Sequence, residues 1–282
     1  RNQLVLDLSR KDVCEYIIKS LSDVLDSAPI SYVKWDYNRN FAEMGSALLT
    51  PECQQEQAHR YILGLYGILE EMNRRFPNVL FEGCSGGGGR FDPGMLYYMP
   101  QIWCSDDTDA VERIFIQYGT SIVYPASTIS AHVSACPNHQ VGRTTPFKMR
   151  GDVAMSGQFG YEMDLSVLSD EDFTAAREQV AFYKKYRRVI QYGDMYRLIS
   201  PYENEGKFAA WQFIKDQTVI LNTFNIKGIP SASLKRVKLQ GLDSDSVYVE
   251  ESTGKKYSGE FLMNIGVVCE CNHDYISTVS VF

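Results

Sequence analysis

The fold of this protein is decided by one stretch of its sequence, Ile30-Ser31-Tyr32-Val33-Lys34-Trp35-Asp36-Tyr37-Asn38-Arg39. The stretch begins as an apolar run, which predicts a buried strand, and it ends in polar residues. Side chains alternate between the two faces of a strand, so Lys34, Asp36 and Asn38 share one face. An ammonium group there favours the charged carboxylate, which makes Asp36 a candidate nucleophile or general base. A structural salt bridge at a strand end explains the same residues equally well.

Strands and helices alternate around this stretch through the first two thirds of the sequence. Apolar residues recur at helical spacing over residues 13–25, 61–72 and 111–118, and Ser169 with Asp172 predicts the start of another helix that runs to about Tyr192. The predicted strands are Leu4 to Leu8, Ile30 to Asp36, Val79 to Glu82, Gln101 to Cys104 and two less distinct ones around 121–130 and 153–164. Such alternation is typical of a parallel sheet, and about six strands fall two short of a closed eight-stranded barrel.

The pattern changes near Tyr196 to short strands separated by turns. Strands are predicted over residues 208–214, 218–224, 247–251 and 276–281, with a hairpin turn at Thr253-Gly254. We therefore predict an α/β fold, in which a partial TIM (β/α)8 barrel over residues 1–195 is followed by a small antiparallel β-sandwich over residues 196–282.

Composition limits the partners and the compartment. The 282 residues have a formal net charge of -7 and no Lys/Arg block, which argues against nucleic-acid or anionic-membrane partners. We find no apolar run long enough for a membrane span and no signal-peptide pattern. Seven cysteines in no disulfide-framework spacing favour a cytoplasmic setting. Because the sequence opens at Arg1 without Met, almost within a predicted strand, we expect a piece of a longer or processed protein.

The second polar strand end is rich in glycine: Glu82-Gly83-Cys84-Ser85-Gly86-Gly87-Gly88-Gly89-Arg90. If the strand continues, Glu82, Cys84 and Gly86 share a face, and the glycines let the backbone approach a ligand. A phosphate cradle is disfavoured, because the Walker pattern requires Gly-Lys-Ser/Thr at the end of such a loop. A plain strand-to-helix turn and a substrate-facing turn both remain open.

The third strand end contains the pair Asp106 and Asp107, whose like charges should raise the proton affinity of at least one of them. Adjacent strand residues face opposite ways, so the two do not both enter the cavity while the strand lasts. Thr108 or Asp109 fits a helix N-cap, which leaves Asp106 unexplained. A glycosidase uses two carboxyl groups in this way: an ionised one attacks the sugar, and a protonated one on a different strand releases the leaving group.

Other candidate ligands favour structural roles. His132 and His139 fall in a loop-like stretch with no paired nucleophile, so we interpret them as hydrogen-bonded structural histidines. Cys269 and Cys271 would share a strand face, but no second Cys/His pair at zinc-site spacing stands near them. We therefore expect no metal and no cofactor.

Three motifs in this order resemble glycoside hydrolase family 36 α-galactosidases: Lys34 to Arg39, Gly83 to Arg90 and Trp103 to Asp109. The resemblance implies that Asp36 is the nucleophile and Asp106 the general acid/base of a retaining double displacement on terminal α-galactosides such as melibiose and raffinose. Retention would require the two carboxyl groups to lie about 5 to 5.5 Å apart. The resemblance also implies galactose contacts from Lys34, Asn38, Cys84, Gly86 and Arg1.

The sequence departs from the family pattern in its extent. Family members carry a large N-terminal β-domain and the first barrel strands, which the sequence lacks. Four alternatives remain: an α-N-acetylgalactosaminidase, a galactosyl-transferring relative, an inactive carbohydrate-binding fragment and a structural piece. We expect the full-length protein to be a homo-oligomer, and an edge strand at Leu4 to Leu8 would be prone to association.

Overall fold

The computed structural model describes residues 4–42, 44–231 and 233–282, with Asn204 described by its backbone alone. The chain divides into two compact units, Arg1–Cys104 and Ser105–Phe282. Arg1, which we expect to contact substrate, lies outside the described residues.

The first unit alternates helices with parallel strands: α1 Lys11–Asp26, β1 Tyr32–Asp36, α2 Gln57–Arg75, β2 Leu80–Cys84, α3 Pro93–Tyr98 and β3 Gln101–Trp103. β2 pairs with β1 on one side and with β3 on the other, and Asp36 is the register partner of Cys84. The ends of β1 and β2 are therefore level. The core of this unit forms because the apolar stripe of α2 packs against strand residues such as Phe81 and Ile102.

The strand predicted at Leu4 to Leu8 is wrong, because these residues have no regular structure. Asp7 accepts hydrogen bonds from the backbone N and Oγ of Ser9 and from Gln57, which forms a turn before α1. Such local side-chain bonds compete with strand pairing. Leu8 packs so tightly against α2 that a Cβ atom on Gly64 would lie 1.9 Å from the Leu8 carbonyl oxygen.

The second unit begins with five elements: α4 Ala110–Thr120, β4 Ile129–Ser134, α5 Phe147–Ala154, β5 Gln158–Glu162 and α6 Asp170–Tyr192. β4 and β5 are parallel. The start of α6 is confirmed, since Ser169 Oγ accepts from the backbone N of Asp172 at 3.1 Å. The strand predicted at 121–130 is displaced, because Ser121 and the residues after it form turns at the end of α4. We did not predict α5, in which Gly151 packs against Gln179.

The remaining elements are mostly antiparallel strands: β6 Asp194–Ile199, β7 Phe208–Lys215, β8 Thr218–Asn225, β9 Lys235–Val237, β10 Val247–Val249, β11 Lys256–Ser258, α7 Gly259–Asn264, β12 Val267–Cys269 and β13 Ile276–Val281. Four of them form a sheet in the order β13-β8-β7-β6, and β9–β12 and β10–β11 form two further pairs. The hairpin turn at Thr253-Gly254 joins β10 to β11. One face of β7 and β8 packs on β9 and α7, while Trp211 and Phe224 on the other face pack against helices.

Parallel strands separated by helices, followed by antiparallel strands, confirm the predicted fold class of a partial barrel and a β domain. The predicted domain boundary between residues 195 and 196 falls inside β6, and the division into these two domains stays a prediction. Among the described helices, none combines the length and the apolar character that crossing a bilayer requires.

Candidate active site

Asp36 ends β1 with its side chain exposed, and Asn38 holds it. Asn38 Nδ2 donates a hydrogen bond to Asp36 Oδ2 at 2.7 Å, and Asn38 Oδ1 accepts one from the backbone N of Gly86 at 2.6 Å. The Gly86 amide therefore fixes which end of the Asn38 amide faces the carboxylate. Three predicted site residues are thus joined, and within the described residues the bond to Asp36 engages Oδ2 and not Oδ1.

The glycine-rich turn after β2 places the Gly86 amide. Gly86 has a φ of 54°, a left-handed conformation that side chains disfavour, although a Cβ atom there would meet nothing within 4 Å. A Cβ atom on Gly88 would lie 2.7 Å from the carbonyl oxygen of Cys104. The amides of Ser85 and Gly89 donate to acceptors within the turn. These bonds occupy two of the amides that a phosphate cradle would use, and the choice between a plain turn and a substrate-facing turn stays a prediction.

Two further predicted site residues lie on these strands, Lys34 on β1 and Cys84 on β2. The Lys34 ammonium lies 4.8 Å from the centroid of the Trp103 ring, a cation–π distance. Cys84 is only 4% exposed, and its carbonyl oxygen accepts from the backbone N of Tyr37 at 3.1 Å, which extends the pairing of β1 and β2 past Asp36. The predicted alternation of faces is confirmed, because Trp35 and Tyr37 pack against the core instead.

Arg90 supports the segment after Asp36, a role that sequence reasoning missed. Its guanidinium lies 4.1 Å from the centroid of the Tyr37 ring, and its Nη1 donates to the Tyr37 carbonyl oxygen at 3.4 Å. Burial raises the pKa of Tyr37 despite the nearby Arg90 charge, so its hydroxyl stays protonated. The available sequence clue was that Arg90 ends the glycine-rich motif. A cavity of about 460 Å³ lies beside Arg90 in the first unit. Asp36 and Asn38 line part of it, but most of its lining is apolar and comes from the core side, as with Trp35 and Leu65.

Asp106 lies at the start of the second unit, beyond the end of β3, and its side chain is exposed. Strand alternation does not reach it, because β3 ends at Trp103. Asp107 instead turns back on the chain, and its Oδ1 accepts from the backbone N of Asp109 at 3.0 Å. Asp109 is the N-cap of α4. The expected change in proton affinity of Asp106 or Asp107 stays a prediction.

His132 lies within β4 and not in a loop as we predicted. Its Nδ1 is 2.5 Å from Glu162 Oε2, as expected for a hydrogen-bonded histidine, whereas His139 is an exposed loop residue. In the described part of the chain, no three His, Cys, Asp or Glu side chains meet as a metal site would require. Burial raises the pKa of Cys269 to about 11, so this cysteine remains a thiol.

Two family models match the chain. The model described as Melibiase matches residues 1–193, and the model described as Glycosyl hydrolase family 36 C-terminal domain matches residues 208–282.

Curated relatives and solved structures agree with these matches. The alpha-galactosidase AgaA of Geobacillus stearothermophilus is 56% identical over 98% of this chain and 38% of its own length. The bifunctional alpha-galactosidase/sucrose kinase AgaSK of Mediterraneibacter gnavus is 46% identical over 95% of this chain and 28% of its own length. The crystal structure of an AgaA variant in complex with raffinose superposes with a TM-score of 0.95 at 54% identity, over 99% of this chain and 39% of that chain. The chain thus spans well under half the length of these relatives.

Proposed function

Because the chain belongs to glycoside hydrolase family 36, we propose that it carries the catalytic residues of a retaining α-galactosidase, which removes terminal α-linked galactose from oligosaccharides such as melibiose or raffinose. The names of the relatives and the raffinose complex of AgaA support this substrate class. The observation that carries the proposal is the chain of hydrogen bonds from Gly86 through Asn38 to Asp36 at the ends of two parallel strands.

This arrangement suits a nucleophile. Asn38 holds Oδ2 of Asp36, and Oδ1 is left to attack the anomeric carbon of galactose. In the first step a bond forms between Oδ1 and the anomeric carbon, while the glycosidic bond breaks and Asp106 donates a proton to the departing oxygen. In the second step Asp106 accepts a proton from water, the water oxygen bonds to the anomeric carbon, and the bond to Asp36 breaks. Two displacements at one carbon retain the α configuration, and neither step requires a cofactor or metal.

The residues around Asp36 would bind the sugar. Lys34 and the free capacity of the Asn38 amide supply hydrogen-bond donors for galactose hydroxyl groups, and the missing side chain of Gly86 lets the ring approach the backbone. We assign Cys84 and Arg1 to the same role on the family motif alone. The full-length protein is proposed to be a cytoplasmic homo-oligomer, and the cytoplasmic setting is supported by seven cysteines that stand in no disulfide-framework spacing.

Hydrolysis of p-nitrophenyl α-galactoside by the natural full-length protein tests the proposal. Asp36→Ala should lower kcat/KM by about 10³-fold or more, because it removes the nucleophile. Asp23→Ala, which removes an exposed carboxylate on α1, is the matched control and should have no effect. Added azide should restore turnover in Asp36→Ala with a β-galactosyl azide product, since azide would attack from the side that Asp36 leaves open. An unchanged rate in Asp36→Ala would refute the assignment.

A further inference from the structure

The loop between β4 and α5, residues 135–146, contacts the segment 105–109, which contains Asp106. Asn138 of this loop is 5% exposed, and its Oδ1 accepts from the backbone N atoms of Gln140 at 2.9 Å and Val141 at 3.0 Å. These two donors fix the orientation of the amide. Asn138 Nδ2 then donates to Thr108 Oγ1 at 3.2 Å, two residues beyond Asp106.

Arg143 makes a second connection between the same loop and the same segment. Its guanidinium forms an ion pair with Asp109, whose side chain is 1% exposed and caps α4 by accepting from the backbone N of Glu112. The Arg143 carbonyl oxygen accepts from the backbone N of Asn138 at 2.9 Å. The two contacts are therefore made by one closed turn and not by independent side chains.

Ser105, the residue that precedes Asp106, is held by other residues of the second unit. Arg113 is 2% exposed, and it donates to the carbonyl oxygens of Ser105 at 3.1 Å and of Ser130 in β4 at 2.8 Å. Ser105 Oγ also accepts from the backbone N of Asp107. Asp106 thus lies between two anchored residues, Ser105 and Thr108, and its own side chain remains exposed.

We infer that Asn138 and Arg143 are positioning residues that hold Asp106 where it can transfer a proton to the departing sugar, an inference that rests on the proposed function. A general acid acts only within about 2.6–3.2 Å of the atom that it protonates. Asp106 lies outside any helix or strand, so its position depends on these anchors. Asn138 and Arg143 act through Thr108 and Asp109 and need no contact with the substrate.

Thr108→Val tests the inference in the natural full-length protein. The valine keeps the shape of the side chain but removes the acceptor for Asn138, and the internal bonds of the loop are left in place. A sugar leaving group requires protonation, whereas a p-nitrophenolate leaves without it. We expect kcat/KM to fall roughly tenfold for raffinose, a part of the usual 10²–10⁴-fold contribution of an acid, and at most about threefold for p-nitrophenyl α-galactoside.

Two controls and a second test variant separate positioning from folding. Thr108→Ser keeps the hydroxyl group and should restore raffinose hydrolysis. Thr120→Val removes a hydroxyl group that donates to the carbonyl oxygen of Ile116 at the other end of α4, and it should affect both substrates equally little. Arg143→Lys should show the same preference for the aryl substrate as Thr108→Val, because a lysine cannot reproduce the planar pairing.

The outcomes are distinguishable. An active wild type with equal losses on both substrates in Thr108→Val, or with no loss, would overturn the positioning role and leave the proposed function standing. A wild type that hydrolyses neither substrate would overturn the proposed function and the positioning role together. A selective loss on raffinose at an unchanged Tm would support the inference.

Discussion

Replacement of Asn38 by alanine should reduce catalysis without unfolding the protein. The side chain is exposed, so its removal takes little packing away from the core. The bond lost to Asp36, 2.7 Å long, has a charged acceptor, and such bonds contribute about 1.5–3 kcal/mol; because both residues are exposed to water, this bond belongs at the lower end of that range. The bond lost to the Gly86 amide adds little, because water can reach this exposed residue. At about 1.4 kcal/mol per factor of ten, kcat/KM should fall roughly tenfold.

The assay is hydrolysis of p-nitrophenyl α-galactoside by the natural full-length protein, with Tm measured on the same samples. Asn38→Asp gives a matched comparison, since it keeps an acceptor for the Gly86 amide but puts a like charge beside Asp36. It should therefore lose more activity than Asn38→Ala. Asn272→Ala, at an exposed position in the second unit, should change neither quantity. A kcat/KM of Asn38→Ala within twofold of wild type, or a loss that simply follows a fall in Tm, would refute the role given to this amide.

Further predictions concern stability. Gly88→Ala should destabilise the protein by about 1–3 kcal/mol in urea unfolding, because its Cβ atom would lie 2.7 Å from a backbone oxygen; equal stability would contradict the close approach. Gly67→Ala in α2, where a Cβ atom meets nothing within 4 Å, should instead stabilise by about 0.5–1 kcal/mol. Burial raises the pKa of Asp7, but hydrogen bonds from Ser46, Ser9 and Gln57 outweigh it and the net pKa is lowered. The folded state then binds fewer protons than the unfolded state, so this stabilisation is complete above about pH 4 and is lost as the pH falls further. Asp7→Asn should accordingly narrow the stability difference between pH 6 and pH 3, and an unchanged difference would argue against the hydrogen-bonded turn.

The sequence predicted elements whose evidence is local. The apolar stripe of α2 and the Ser169 cap of α6 identify these helices without any partner, because spacing and capping act within a few residues. Prediction from the sequence failed where a local strand pattern had no neighbouring strand to pair with, or where local hydrogen bonds formed a turn instead. Leu4 to Leu8 alternates like a strand, yet Asp7 forms a turn there.

α5 was missed for a related reason. It has no clear apolar stripe, and it contains Gly151, although glycine is a poor helix former. The glycine is explained by its close packing against Gln179 of α6, which leaves no room for a side chain. Burial of both faces of β7 and β8 likewise depends on what covers the sheet. Only the identity of their residues as strand formers was visible in the sequence.

The candidate site divides in the same way. The sequence by itself determined which residues could perform the chemistry, since Asp36, Asn38 and Asp106 stand out as polar groups at strand ends and within motifs that resemble a family. Only the tertiary structure decided that Asn38 bonds to the Gly86 amide and that Asn138 reaches Thr108. These partners lie 48 and 30 residues apart in the chain. Their contact depends on strand register and on the path of a loop, which the packing of the whole unit sets and short-range sequence preferences do not encode.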